Sequence, residues 1–174
     1  FITLSQSYRS TVEIIEFANS ALHAQGLGLK SAKPVLRHGD KPEVIKSVSR
    51  RESVRLIEEI VKRLNSKGKH SIAVITKTYN EGKLLEKELK KHTDLEFTLI
   101  KGNEKESPKT DIVVIPAYLT KGLEFDGTII YNPTEKNYPD NILNQRLLYV
   151  ALTRALHSEF IITEEKLSKN INFD

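Results

Sequence analysis

Three polar segments of the chain carry side chains that could bind a nucleotide. The first, residues 6–10, contains Tyr8 and Arg9 and comes just before a predicted helix. The N–H groups at a helix start and the planar guanidinium both suit phosphate oxygens, and the tyrosine ring could stack on a base. An exposed tyrosine and an arginine on a capped helix are the alternative interpretation.

The second segment, residues 118–126, follows an apolar run and contains a lysine, a glycine and two carboxylates. Gly122 permits a tight turn or a close approach of the backbone to a ligand. Glu124 could accept hydrogen bonds from the hydroxyl groups of a sugar. A solvated charge cluster in an ordinary connecting loop is an equally good explanation of these residues.

The third segment, residues 144–155, is predicted to be a helix that is apolar almost all round and therefore buried on most sides. Arg146, Tyr149 and Thr153 share one stripe of this helix, and Arg154 lies beside the stripe. A buried arginine needs an anionic partner, because an unpaired charge inside a protein is costly. That partner is either a carboxylate of the same domain or a phosphate supplied across an interface.

Alternating strand and helix patterns would position these segments. Ser10 as an N-cap and the capping boxes Ser49/Glu52 and Thr78/Glu81 mark three helix starts. A fourth helix is predicted over residues 142–155, and the predicted strands are residues 2–4, 44–48, 71–76, 96–100, 111–117, 127–131 and 159–163. This alternation predicts an α/β fold with a mainly parallel sheet covered on both faces. Ligands of such sheets bind at the carboxyl ends of the strands, so the polar segments are expected there.

The composition is that of a globular protein with a small basic excess. The 174 residues predict a single domain, with residues 164–174 as a tail. The 27 Lys and Arg against 23 Asp and Glu give a net charge of +4, which permits a polyanionic partner without requiring one. No apolar run approaches the roughly 18 residues of a membrane span.

The residue types that are absent exclude several kinds of chemistry. The chain has no cysteine, which excludes disulfides, thiolate zinc sites and a cysteine nucleophile, and which fits a reducing compartment such as the cytoplasm. Its five histidines are scattered, so no metal site is predicted. The chain also lacks methionine, an initiator included, and we therefore expect it to be a piece of a longer protein.

Three strings in the polar segments resemble the fourth, fifth and sixth motifs of the UvrD/Rep/PcrA-like superfamily-one helicases. They are residues 7–10, 121–125 and 148–155, and they occur in the family's order. The resemblance implies a second RecA-like domain, the C-terminal motor half, with a three-layer α/β fold of the P-loop NTPase type. It also implies hydrolysis of ATP with Mg²⁺ in a cleft shared with an N-terminal RecA-like domain of the same protein.

The resemblance implies a role for each nucleotide-facing residue. Tyr8 would stack on the adenine, and Arg9 would reach the γ-phosphate. Glu124 would bind the ribose, with Gly122 beside it in the same motif. Arg154 would be the arginine finger, a second contact to the γ-phosphate.

The resemblance also points to residues that would contact nucleic acid. Residues 73–78 resemble a lesser motif of the family whose basic residue and threonine contact single-stranded DNA, which points to Lys77 and Thr78. Tyr118 stands where the DNA helicases usually carry a histidine near the nucleic acid, and Pro116 stands where they carry a threonine. These departures, and the short spacing between the fourth and fifth motifs, resemble the helicase-like ATPases that associate with RNA polymerase in Gram-positive bacteria. RNA polymerase is therefore a further expected partner.

The sequence lacks the phosphate loop and the metal-binding acids of an ATP site. The chain contains no GxxxxGK[ST] phosphate loop, and no apolar strand ends in the paired acids that hold Mg²⁺. Both are expected on the N-terminal domain, so the isolated domain is expected to be inactive. The alternative hypothesis is a non-catalytic module that binds RNA polymerase or nucleic acid, in which Arg9 and Arg154 pair with internal carboxylates such as Glu124.

Overall fold

A computed structural model gives the fold of residues 10–23 and 37–171. The strands in these two ranges are β1 Glu43–Lys46, β2 Ile72–Thr76, β3 Phe97–Leu99, β4 Ile112–Pro116, β5 Phe125–Tyr131 and β6 Ala155–Thr163. The helices are α1 Val12–His23, α2 Arg50–Ser66, α3 Tyr79–His92 and α4 Ile142–Leu152, with a short 3₁₀ helix at Ala117–Leu119. The predicted strand at residues 2–4 lies outside the described residues.

The strands form one sheet in the order β1-β6-β5-β2-β4-β3, and all of its neighbouring strands pair in parallel. Every residue of β2 and of β4 is buried. A parallel sheet needs cover on both faces, and continuous apolar strands are the sequence pattern of that arrangement. The predicted α/β fold is confirmed.

Two helices cover each face of the sheet. Helices α2 and α3 supply one hydrophobic core, in which Ile57, Leu64 and Leu85 pack against β2, β4 and β5. Helices α1 and α4 supply the other, in which Ala18 and Leu148 lie against the opposite side of the same strands. The result is a three-layer domain.

Two of the three predicted helix caps are confirmed. The Ser49 hydroxyl accepts a hydrogen bond from the Glu52 N–H, and Thr78 accepts one from the Glu81 N–H, each at 3.1 Å. The prediction for Ser10 is wrong, because α1 begins one residue later than a Ser10 cap requires. The residue before Val12 is Thr11, whose hydroxyl accepts from the Ile14 N–H at 3.4 Å.

Boundaries near the third polar segment differ from the prediction. Helix α4 ends at Leu152, where the last turn tightens and the Arg154 N–H donates to the Ala151 carbonyl, only three residues back, at 3.2 Å. Strand β6 begins at Ala155, since the Phe125 N–H donates to the Arg154 carbonyl at 3.0 Å and draws this segment into the sheet. Helix α4 is also less buried than predicted, because Leu143 in its first turn is 76% exposed.

The chain after β6 packs back on the domain. The Ser168 hydroxyl donates to the Tyr138 carbonyl at 2.7 Å, and Leu167 forms an isolated antiparallel bridge with Thr134. Ile171 is buried. Up to Ile171, the predicted tail therefore belongs to the packed structure.

Candidate functional site

The sequence-predicted site residues lie at two opposite edges of the sheet. Glu124 and Arg154 immediately precede β5 and β6, whose first residues, Phe125 and Ala155, are paired. They therefore lie at the amino edge, where the strands begin. Tyr118 lies just after β4 and stays at the carboxyl edge, where the strands end.

The expectation that all three segments lie at the carboxyl edge is wrong for Glu124 and Arg154. The connection over residues 117–124 starts at the carboxyl end of β4 and must cross the sheet to begin the parallel strand β5. Helix α4 likewise runs from the carboxyl edge back to the start of β6. Two connections that cross the sheet, residues 117–124 and helix α4, thus end next to each other at the amino edge.

The guanidinium of Arg154 is held at this edge by hydrogen bonds to the protein. Its Nε donates to the Val150 carbonyl at 2.8 Å, one terminal nitrogen donates to the Leu123 carbonyl at 3.2 Å, and the other donates to the Thr153 hydroxyl at 2.9 Å. A guanidinium has five N–H donors, so these bonds leave two of them for another acceptor. Burial lowers the pKa of Arg154, while the nearby Glu124 carboxylate opposes that shift.

The described residues do not give Arg154 the hydrogen bond to a carboxylate of its own domain that was one of the two sequence expectations. Within the described residues its hydrogen bonds go to two carbonyls and a hydroxyl, and Glu124 acts on it through charge rather than through a hydrogen bond. Arg146, by contrast, is exposed to solvent, so the argument from a buried charge does not apply to it.

Ser10 joins the first polar segment to the third. Its buried hydroxyl donates to the Ala155 carbonyl at 2.7 Å and lies 3.4 Å from the Thr153 carbonyl. Ser10 is thus fixed to the backbone on both sides of Arg154. Tyr8 and Arg9 lie outside the described residues. This contact spans more than 140 positions of the chain, and no local sequence pattern indicates it.

A tight turn sets the position of Glu124. The Leu123 N–H donates to the Thr120 carbonyl at 3.0 Å, and Gly122, the third residue of this turn, has a φ of +81°. A positive φ at that position is what a type II turn requires, and glycine adopts it without strain. Gly122 and Glu124 are both exposed, so this turn presents them to whatever occupies the amino edge.

At the carboxyl edge, the ammonium of Lys77 is engaged within the domain. It donates to the Asn137 carbonyl and to the side-chain oxygen of Asn144, and it lies 4.7 Å from the centroid of the Tyr138 ring. Burial lowers the pKa of Lys77, and the charge of Glu81 opposes that shift. In this arrangement the lysine connects the end of β2 to the start of α4.

The other two candidate nucleic-acid residues are accessible. Thr78 is exposed and its hydroxyl caps α3, while Tyr118 has 55% of its surface exposed. Glu81, three residues after Thr78, accepts from the Lys77 N–H at 3.0 Å and from the Asn137 side chain at 2.8 Å. Burial raises the pKa of Glu81 despite these bonds. The capping box predicted the place of Glu81, but nothing in the sequence indicated Asn137 as its second partner.

Two kinds of feature are absent from the part of the chain that the structure describes. No group of three or more His, Asp and Glu side chains is placed to share a metal ion. No helix has the length and apolarity that crossing a bilayer requires.

The six-stranded parallel sheet with two helices on each face defines the class of the protein as an α/β domain of the RecA-like type. The sequence profile of the UvrD-like helicase C-terminal domain matches residues 2–105, and a second profile of the same description matches residues 111–162. The chain therefore belongs to the UvrD-like helicase C-terminal domain family. The family resemblance seen in the three motifs is confirmed.

A solved structure agrees with this assignment. The C-terminal domain of a possible DNA helicase from Lactobacillus plantarum WCFS1 is 30% identical, with a TM-score of 0.77 over 95% of this chain and 94% of that one. An arterivirus nonstructural protein 10 helicase, solved with DNA, is 11% identical with a TM-score of 0.48 over 86% of this chain and 30% of that one, and no argument rests on it. Among curated proteins, no sequence matches this chain significantly.

Proposed function

We propose that this domain is the C-terminal motor half of an ATP-dependent, helicase-type ATPase. ATP would lie between its amino edge and the N-terminal RecA-like domain of the same protein. The observation that carries the proposal is the convergence of Ser10, Glu124 and Arg154, from three distant parts of the sequence, at the start of β5 and β6. Family membership supports the same function.

Arg154 fits the role of an arginine finger. Its bonds to Val150, Leu123 and Thr153 fix the guanidinium and leave two donors for phosphate oxygens. A fixed positive charge stabilises the charge that develops on a transferred phosphoryl group, because no reorganisation is needed at the moment of reaction. Partial burial strengthens this effect, since the charge is less screened by water.

Other residues at or next to the amino edge would make the remaining contacts with the nucleotide. Glu124 would accept hydrogen bonds from the ribose hydroxyls, with Gly122 letting the backbone approach the nucleotide. Tyr8 would stack on the adenine, and Arg9 would add a second cation at the γ-phosphate. The role of Arg9 is supported by its neighbour in the sequence, Ser10. The Ser10 hydroxyl contacts the Thr153 and Ala155 carbonyls on either side of Arg154.

The phosphate loop and the Mg²⁺ ligands would come from the N-terminal domain. Bound Mg²⁺ would neutralise part of the charge of the phosphates. The isolated domain would therefore bind nucleotide weakly and would not turn it over.

Replacing Arg154 by lysine in the full-length protein tests the proposal. Lysine keeps the positive charge but lacks the planar fork. We expect kcat for ATP to fall by about a thousandfold or more, the range of an arginine finger, while ATP binding changes only a few-fold. The matched control is Arg55→Lys on the outer face of α2, where Arg55 pairs with Glu59 in solvent. Equal turnover in the two variants would contradict the assignment.

The carboxyl edge is where we propose that nucleic acid is bound. The exposed Tyr118 and Thr78 support this, and Lys77 could join only by leaving Asn144. Single-stranded DNA is the expected track. The resemblance to RNA-polymerase-associated ATPases adds polymerase as a possible partner, which co-purification of the full-length protein with polymerase from its own host would test.

A further inference from the structure

The ammonium groups of two lysines contact one tyrosine ring at the carboxyl edge. Lys83 lies one turn after Tyr79 on α3, and Lys101 lies just beyond β3. The ammonium nitrogen of each lysine is 5.8 Å from the centroid of the Tyr79 ring. An aromatic face attracts a cation at this distance. The ring therefore attracts both positive charges to the same part of the surface.

Neither ammonium forms a direct ion pair with a carboxylate in the described part of the chain. The ion pairs found there involve other lysines and arginines. The Glu104 carboxylate accepts from the backbone N–H groups of Lys101 and Gly102, and these bonds, together with a smaller effect of the Lys101 charge, lower its pKa. Both lysines are exposed. Two exposed positive charges near one ring favour the binding of an anion to this part of the surface.

An exposed aromatic ring lies beside the same cluster. Gly102, next to Lys101, packs on Leu119, since a Cβ at Gly102 would lie 3.1 Å from the Leu119 methyl carbons. Leu119 follows Tyr118, whose ring is 55% exposed. The loop after β3 is thus seated on the 3₁₀ helix that carries Tyr118. Cations and an open aromatic face within one surface are the combination that binds single-stranded nucleic acid.

We propose that Lys83 and Lys101, gathered by Tyr79, bind the phosphates of a single-stranded nucleic acid whose base stacks on Tyr118. This inference rests on the proposed function, because it assumes that the carboxyl edge meets the nucleic-acid track. It differs from the sequence-based assignment, in which Lys77 supplies the cation. Lys77 already donates to Asn137 and Asn144 inside the domain.

The test is the double substitution Lys83→Gln with Lys101→Gln in the full-length protein. Binding of a fluorescent oligothymidylate is measured by anisotropy over a range of salt concentrations. We expect affinity to fall about tenfold near 0.1 M salt, and the slope of log affinity against log salt to fall by about 1.4, because each lost phosphate contact removes about 0.7. The control is Lys90→Gln with Lys91→Gln, which makes the same charge change in the last turn of the same helix at the opposite edge.

Three results would overturn this inference. One is a double variant whose affinity and salt slope equal those of the control. Another is a loss of oligothymidylate binding by Lys77→Gln alone that Lys83→Gln with Lys101→Gln does not reproduce. The third is a full-length protein that binds neither oligothymidylate nor oligouridylate yet co-purifies with polymerase. ATP turnover that depends on Arg154 would persist in all three cases, so the ATPase proposal is judged separately.

Discussion

The hydroxyl oxygen of Thr153 holds the Arg154 side chain in place through a hydrogen bond. The hydroxyl accepts from a terminal nitrogen of Arg154 at 2.9 Å and lies 3.0 Å from the Val150 carbonyl, to which it can donate. It therefore connects the guanidinium to the last turn of α4. If Arg154 must be fixed before it can stabilise a phosphoryl group, Thr153 is a positioning residue for it.

Replacing Thr153 by valine keeps the shape of the side chain and removes the oxygen. One hydrogen bond contributes about 1 kcal/mol, so we expect kcat for ATP in the full-length protein to fall about three- to tenfold with KM nearly unchanged. Thr153→Ser keeps the oxygen and loses only a methyl group, and it should retain turnover. If serine and valine lower kcat equally, the methyl group matters rather than the hydrogen bond, and the positioning role is wrong.

At the scale of elements, the turn before β5 and the end of α2 each contain a glycine in the same left-handed backbone conformation. Gly122 has a φ of +81° and Gly68 a φ of +77°, and a Cβ at either would meet no atom within 4 Å. An alanine at each position therefore pays only the cost of the left-handed backbone, roughly 1–2 kcal/mol. Gly68 closes α2, whereas Gly122 sets the path that leads to Glu124.

The two glycines make a matched pair. We expect Gly122→Ala and Gly68→Ala to lower the free energy of unfolding, measured in urea, by similar amounts of roughly 1–2 kcal/mol. Only Gly122→Ala should also raise KM for ATP in the full-length protein, because only that turn positions Glu124 and the Leu123 carbonyl beside Arg154. A rise in KM of the same size in both variants would show that general destabilisation explains the effect.

Elements with strong local patterns were predictable from sequence, and their mutual contacts were not. The apolar runs of β2 and β4 and the capping boxes at Ser49 and Thr78 gave the correct element types. The start of β6 was placed four residues too late, because Ala155 pairs with Phe125 for reasons that lie in the sheet. The partners of Lys77 and Ser10 likewise belong to segments at least 60 positions away.

At the scale of the whole molecule, the parallel sheet separates the two proposed sites. Ser10, Glu124 and Arg154 lie where the strands begin, and Tyr118, Lys83 and Lys101 lie where the strands end. The general rule is that a parallel sheet binds its ligand at the carboxyl ends of its strands. This rule led to the wrong predicted edge for Glu124 and Arg154. The rule describes a ligand held by one sheet. It does not apply to a domain whose proposed nucleotide contacts complete a site on a second domain.

The stability of the domain carries a pH dependence that originates in β6. Glu159 is 2% exposed; one oxygen is 3.4 Å from the Thr128 hydroxyl, and the other has no hydrogen-bond partner among the described residues. Burial raises the pKa of Glu159 well above its ordinary value of 4.5. The folded chain therefore keeps a proton there that the unfolded chain releases. The contribution of Glu159 to stability is complete below pH 4.5 and is lost as the pH rises through the raised pKa.

Glu159→Gln removes this titration while preserving the shape of the side chain. We expect the variant to match the wild-type free energy of unfolding at about pH 4 and to exceed it increasingly up to about pH 8, because only the wild type must bury or neutralise a carboxylate. Urea unfolding of the 174-residue chain across this range measures the difference. Glu59→Gln, an exposed carboxylate paired with Arg55, is the control and should follow the wild-type curve. If the Glu159→Gln curve stays parallel to the wild-type curve over the whole range, Glu159 is ionised in the folded domain and the argument from burial is wrong.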